Sequence, residues 1–155
     1  MNDAAMNYPG LADEISLLLA TETCSLARHL ESCSPYLTAR TYPVWRDLQH
    51  MRQASEQHAE RLSRLQEQLE LPPRPQPFSS EVANYHYVTL EYLLPKLIAE
   101  KRSQIAAYRR AIAHAGRNEQ VRTDLESLLA DNEAQRASLE RALESLDGAA
   151  VPAGV

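Results

Sequence analysis

Four stretches of the chain share one arrangement: three apolar residues on a helical face, then a polar residue where the stripe should continue. Leu11, Ile15 and Leu18 precede Glu22, and Val44, Leu48 and Met51 precede Ser55. Leu90, Leu94 and Leu97 precede Lys101, and Val121, Leu125 and Leu128 precede Asn132. In each case the apolar residues stand eleven, seven and four places before the polar one. At about 3.6 residues per turn these offsets stay within about 40° of one face. Seven places beyond the four centres come His29, Leu62, Tyr108 and Leu139, so the stripe resumes after its interruption. This period predicts an all-α fold of four amphipathic helices around a common core, with one polar position per helix at mid-length.

Punctuation residues set the boundaries. Pro9 and Gly10 open a first helix that should run to about Cys33. Pro43, in the first turn of a second helix, starts a run to about Glu70. Leu71–Phe78 then carries four prolines in eight residues, which excludes helix and favours an extended spacer. A third helix begins between Ser80 and Tyr87 and ends near Ala115, with Gly116 at its C′ position. Asn118 is positioned to cap a fourth, running to about Leu146. Pro95 either kinks the third helix or marks its effective start. The predicted organisation is an N-terminal tail over residues 1–9, one bundle over 10–147 and a flexible C-terminal tail over 148–155.

Chain distances then fix heights. Lys101 to Ala115 is fourteen residues and Asn118 to Asn132 is also fourteen, so an antiparallel hairpin brings Lys101 and Asn132 level. Glu22 to Cys33 and Val44 to Ser55 are eleven each, which levels the first pair. In extended form, at roughly 3.1 Å per residue, the spacer over 71–86 covers about 50 Å and can run the length of the second helix. The expected architecture is a four-helix bundle of two antiparallel helical hairpins joined by a long Pro-rich crossover.

Composition narrows the class. In 155 residues, 44% are hydrophobic and 24% charged, which supports one domain with a core and excludes disorder. Aromatics are 6% and glycines four, against an abundance of Ala, Leu, Glu, Gln and Arg, which argues against an all-β fold. A net charge of −5 without a basic run speaks against nucleic acid as partner. There is no signal-like start, and the longest apolar stretch, Leu17–Ala20, is too short for a bilayer, so no membrane partner is expected. Cys24 and Cys33 would point to opposite sides of one helix and are expected as reduced thiols of a cytoplasmic protein.

The layout resembles the ferritin-like di-iron bundles, such as bacterioferritin and rubrerythrin, over residues 10 to about 147. The segment Ser55-Glu56-Gln57-His58-Ala59-Glu60-Arg61-Leu62 looks like their helix-two motif, and Gln104–Ile112 like the stretch following their helix-three ligand. Those proteins carry Glu on helices one and three and Glu-x-x-His on helices two and four. By this resemblance Glu22 matches the helix-one carboxylate and His58 the helix-two histidine. Ser55 stands in place of the helix-two Glu, Lys101 in place of the helix-three Glu, and Asn132 and Gln135 in place of the helix-four Glu and His. Two ligands of six do not hold a di-iron centre, and an ammonium there competes with a cation. No metal or other cofactor is therefore expected.

The chemistry suggests a polar layer instead: Lys101 and Glu22 in a salt bridge, completed by Ser55, His58, Asn132 and Gln135. Its simplest role is to fix helix register. The function this implies is that of a non-enzymatic structural or interaction module. Whether it has enzymatic activity stays open. The alternatives are a metal-binding oxidoreductase or iron-handling bundle with a non-standard site, and a small-ligand or lysine-dependent enzyme using the central cavity. Asp47 and His50 offer an Asp-x-x-His spacing but fit a solvated flank better, while His29 extends the first seam as a hydrogen-bonded core histidine and His86 and His114 fall at helix ends. Tyr85, Tyr87 and Tyr92 are expected to pack under the Pro-rich spacer, with partner binding as the other reading, and Trp45 at a bundle end or subunit contact. The resemblance also implies a homodimer through the first two helices.

Overall fold

The computed structural model describes residues 8, 10–33, 35–77 and 87–149, and over them the protein is all helical, without a sheet. The helices are α1 (Leu11–Thr23), α2 (Leu26–Cys33), α3 (Tyr42–Gln68), α4 (Leu90–His114) and α5 (Glu119–Ala149). Together α1 and α2 fill one position of a bundle whose other three are α3, α4 and α5. A single isolated bridge joins Tyr36 to Thr89, where the Tyr36 N–H donates to the Val88 carbonyl at 3.0 Å.

The expected continuous first helix is in fact broken at Cys24 and Ser25. Cys24 leaves helical geometry at φ −114°, ψ 25°, and the Thr23 hydroxyl bonds back to the Leu19 carbonyl at 2.7 Å. The Leu26 N–H, released from any α1 partner, donates to both oxygens of Glu100 at 3.0 and 3.1 Å. Ser25 caps the new helix start locally, its Oγ accepting from the Arg28 N–H at 3.3 Å, and a carboxylate from α4 takes a further free N–H. The third predicted helix also begins later than expected. Its cap is Thr89, whose hydroxyl accepts from the Tyr92 N–H at 3.3 Å, and α4 therefore encloses Pro95 instead of starting at it. The spacer over 71–77 is non-helical. Its Arg74 N–H donates to Ser16 on α1 at 3.0 Å, and Leu71 is buried beside it. The rest of the spacer, including Tyr85 and His86, lies outside the described residues, as do Pro9, most of the N-terminal tail and residues 150–155.

Other boundaries follow their local chemistry. Gly116 takes φ +60°, the left-handed geometry that ends a helix cheaply only in glycine. Asn118 Oδ1 accepts from the Val121 N–H at 3.1 Å and caps α5. Gly10, at φ +89°, lies so close to the His114 ring that a Cβ there would sit 2.8 Å from Cε1.

Contacts along the helices run in opposite order. From α1 to α4 they pass Glu14–Arg110, Glu22–Tyr108 and Leu26–Glu100. From α1 and α2 to α3 they pass Ser16–Gln66, Glu22–His58 and Arg28–Glu56. From α4 to α5 they pass Lys101–Gln135 and Arg109–Glu133.

Apolar burial falls into two clusters. One gathers Leu11, Ile15, Leu18, Leu62, Tyr108 and Leu125 with their neighbours, and the other Leu30, Leu48, Leu90, Leu94, Leu97 and Leu139. Ten of the twelve stripe residues are buried, while Val44 and Met51 are half-buried. Trp45 packs half-buried against the second cluster. Tyr87 and Tyr92, expected under the spacer, are 82% and 53% exposed, and residues 78–86 of that spacer lie outside the described residues.

Candidate functional site

Between the two apolar clusters lies a layer of polar side chains, one or more from each long helix. Glu22 on α1 is 0% exposed, as is Asn132 on α5, and Ser55 and His58 on α3 are buried. Lys101 on α4 is half-buried at residue level, but its ammonium is enclosed. It donates to Asn132 Oδ1 at 2.8 Å, to Gln135 Oε1 at 2.9 Å and to Gln104 Oε1 at 2.9 Å. An ammonium has three protons, and here three amide oxygens take them.

Glu22 gathers the complementary donors. Its Oε1 accepts from the Tyr108 hydroxyl at 2.8 Å, faces His58 Nδ1 at 3.3 Å and accepts from Asn132 Nδ2 at 3.5 Å. The other oxygen, Oε2, is buried without a hydrogen-bond partner among the described residues. On its far side His58 presents Nε2 to Asp131 Oδ2 at 3.2 Å, and the Asp131 side chain is 55% exposed. The layer is thus a chain of contacts from the exposed Asp131, through His58 and Glu22, to Asn132 and Lys101.

The expected direct salt bridge between Glu22 and Lys101 is not what forms. No nitrogen–oxygen distance of 4.0 Å or less joins them; Asn132 stands between, accepting from the ammonium and donating to the carboxylate. A primary amide offers a donor and an acceptor from one group, so Asn132 bridges the two charges. Ser55 shares the level of the layer, yet no hydrogen bond ties it to the others among the described residues. His58, one turn on, makes the contact to Glu22 instead.

Electrostatics follow from these contacts. Burial alone would raise the Glu22 carboxyl, but the His58 hydrogen bond, the Lys101 charge and the Tyr108 hydroxyl outweigh it and hold it below its usual value. Burial pushes the Lys101 ammonium below its usual value, against the pull of the Glu22 and Glu100 carboxylates. Burial, then the charge of Glu22, raises the Tyr108 hydroxyl, which therefore stays a donor. Glu100, one residue before Lys101, is pushed up to about 7 by burial, and the Leu26 N–H only partly offsets this.

A di-iron or mononuclear metal fits this donor set poorly. One carboxylate, Glu22, and one imidazole, His58, face each other, and both ring nitrogens are already engaged with carboxylates. Among the described residues no group of three or more His, Cys, Asp or Glu side chains is arranged to hold a metal ion. Asp47 and His50 are both exposed and line a groove between α3 and α5 with Met51, Ala134 and Gln135. Cys24 is a free, exposed thiol, whereas the side chain of Cys33 lies outside the described residues. No helix is long and apolar enough to cross a membrane among the described residues.

Sequence reasoning missed Tyr108, Gln104, Asp131 and Glu100. Tyr108 reads as apolar stripe, and only its hydroxyl reveals the polar end. Gln104 was legible: Lys101 and Gln104 stand three apart, as do Asn132 and Gln135, and such pairs share a helix face. The chain matches no protein-family model, no curated protein and no solved structure.

Proposed function

We propose that this protein is a ferritin-like four-helix module in which a lysine-centred polar layer takes the place of the di-iron site, and that it acts by association instead of by redox chemistry. The observation that carries this reading is the ammonium of Lys101, whose three protons meet three amide oxygens at 2.8–2.9 Å. A cation already occupies the centre of the bundle, and it is saturated. A lysine working as a nucleophile would need a free lone pair and room for a substrate beside it; here each direction is taken. The opposite running order of α1 against both α3 and α4 supports the ferritin-like connectivity, because it makes α3 and α4 parallel and calls for a long connection through the Pro-rich segment. Association as a homodimer through α1 and α3 rests on the resemblance.

The test is the metal content of full-length protein purified without chelator, by plasma mass spectrometry, followed by Fe(II) titration in air, with sedimentation velocity on the same sample. The reading expects no stoichiometric metal, oxidation no faster than buffer, and a dimer. Near-stoichiometric iron, manganese or zinc would overturn the first half, and a monomer at micromolar concentration the second.

A further inference from the structure

A separate cavity of about 240 Å³ lies between α1 and the Pro-rich segment, lined by Leu17, Ala20, Thr21, Cys24, Pro77 and Glu100. It is smaller than the roughly 300–1,000 Å³ of drug-sized sites, so any occupant is small. Its walls are mostly aliphatic, and Glu100 is the one charged residue among them. That carboxylate has no Lys, Arg or His within ion-pair distance among the described residues. Its hydrogen bond is the single Leu26 N–H, shared between both oxygens at 3.0 and 3.1 Å, which leaves lone pairs unused on each.

The neighbouring charges do not neutralise it. Lys101 spends its protons on Gln104, Asn132 and Gln135, and Glu22, a like charge, faces Tyr108, His58 and Asn132. Other polar groups at the cavity add acceptors more than donors. The Thr21 hydroxyl proton is committed to the Leu18 carbonyl at 2.9 Å, and its oxygen already accepts from Gln104 at 3.3 Å. Apart from the Gln76 amide and the weak Cys24 donor, the site supplies lone pairs and no protons.

We propose that this cavity binds a small primary amine, its short apolar body against Leu17, Ala20 and Pro77 and its ammonium on the Glu100 carboxylate. Charge complementarity selects the class. A carboxylate without a counter-ion beside aliphatic walls is relieved by a cation that carries its own apolar surface, whereas an anion meets like charge, and a neutral alcohol gains the walls and one weaker, uncharged hydrogen bond. Cys24 at the same cavity supplies a built-in reporter, because an occupant shields its thiol. This site adjoins the polar layer through Gln104, which bonds both Lys101 and Thr21, and it does not rest on the function proposed above.

The probe is n-hexylamine with full-length protein, compared with 1-hexanol, read by peptide-mapped alkylation of Cys24 and by calorimetric titration. Burial has pushed Glu100 up to about 7, so ionising it should raise hexylamine affinity about tenfold between pH 6 and pH 8, while hexanol shows no such dependence. Glu100→Gln keeps an oxygen for the Leu26 N–H and should abolish both the amine preference and its pH dependence. Ala20→Phe, which fills the cavity and leaves the carboxylate in place, should abolish binding and Cys24 protection altogether. Equal affinity for amine and alcohol at every pH, no protection of Cys24 at millimolar amine, or binding that survives Ala20→Phe would each overturn the proposal.

Discussion

Two glutamates near the break between α1 and α2, the buried Glu22 and the half-buried Glu100, both lose hydration in the fold, and their ionisation goes opposite ways. Glu22 lies between the apolar clusters, with Tyr108, His58 and Asn132 around one oxygen and the Lys101 charge nearby, and it is held ionised below its usual value. Glu100 has one backbone N–H and is pushed up to about 7. Depth does not decide the charge of a carboxylate; the number and sign of its partners do. The same contrast separates the two positions structurally. Glu22 belongs to a network that links four helices, and Glu100 takes the first N–H of α2 beside the local Ser25 cap.

Breaking the Glu22 network should have the largest effect. Lys101→Ala leaves three buried amide oxygens and the Glu22 carboxylate without their cation and should lower stability by about 3–5 kcal/mol, as removing one member of a buried charged pair does. Urea denaturation followed by circular dichroism measures this; a loss under about 1 kcal/mol would show the ammonium to be solvated. Lys101→Met should cost less than Lys101→Ala, since it fills the same space.

The apolar clusters on either side test whether the layer joins or divides the molecule. Leu125→Ala in one and Leu94→Ala in the other, both 0% exposed, should each cost about 2–5 kcal/mol. Coincident fluorescence and circular dichroism transitions in both variants would mean the polar layer couples the clusters into one cooperative unit.

The two carboxylates can be told apart by pH. Glu22 has a folded value below its unfolded one, so it stabilises the fold above about 4.5, and that contribution is lost as pH falls through the lowered value. Glu100 behaves oppositely. Its folded value of about 7 exceeds the unfolded 4.5, so the folded protein holds the extra proton between these limits and stability falls as pH rises through that window. Urea midpoints measured from pH 2 to pH 8 should lose the acid-side decline in Glu22→Gln and the decline toward neutral pH in Glu100→Gln. An unchanged profile in Glu100→Gln would remove the contrast.

Smallest is the effect of the helix stops. Asn118→Ala removes the cap of α5 and should cost about 1 kcal/mol, seen as a small drop in melting temperature with no change in pH profile.

Much of this was legible along the chain. The stripe residues, the stops at Gly116 and Asn118, and the equal height of Lys101 and Asn132 follow from period and count, because local geometry on a helix is nearly independent of what surrounds it. The break at Cys24 and Ser25 was not, because Leu17–Leu30 carries no proline or glycine and reads as continuous helix. Ser25 supplies a local cap, its Oγ accepting from the Arg28 N–H, and the Glu100 carboxylate, seventy-four residues from Leu26, accepts the Leu26 N–H that the fresh helix start leaves over. The late start of α4 at Thr89 has a local cap but is accompanied by the distant pairing of Tyr36 with Val88. The central layer was readable only in part: Glu22, His58, Lys101, Asn132 and Gln135 stand out along the chain, while Gln104, Tyr108 and Asp131 join them through contacts between helices. Which donor faces which acceptor depends on side-chain direction across helices: Asn132 enters between Glu22 and Lys101, and the Tyr108 hydroxyl reaches back into the layer. Sequence by itself determined that four apolar faces would meet with one polar position in each. Tertiary structure decided how those polar groups share their protons, because hydrogen bonds between helices are set by relative height, rotation and spacing, and no single helix carries that information.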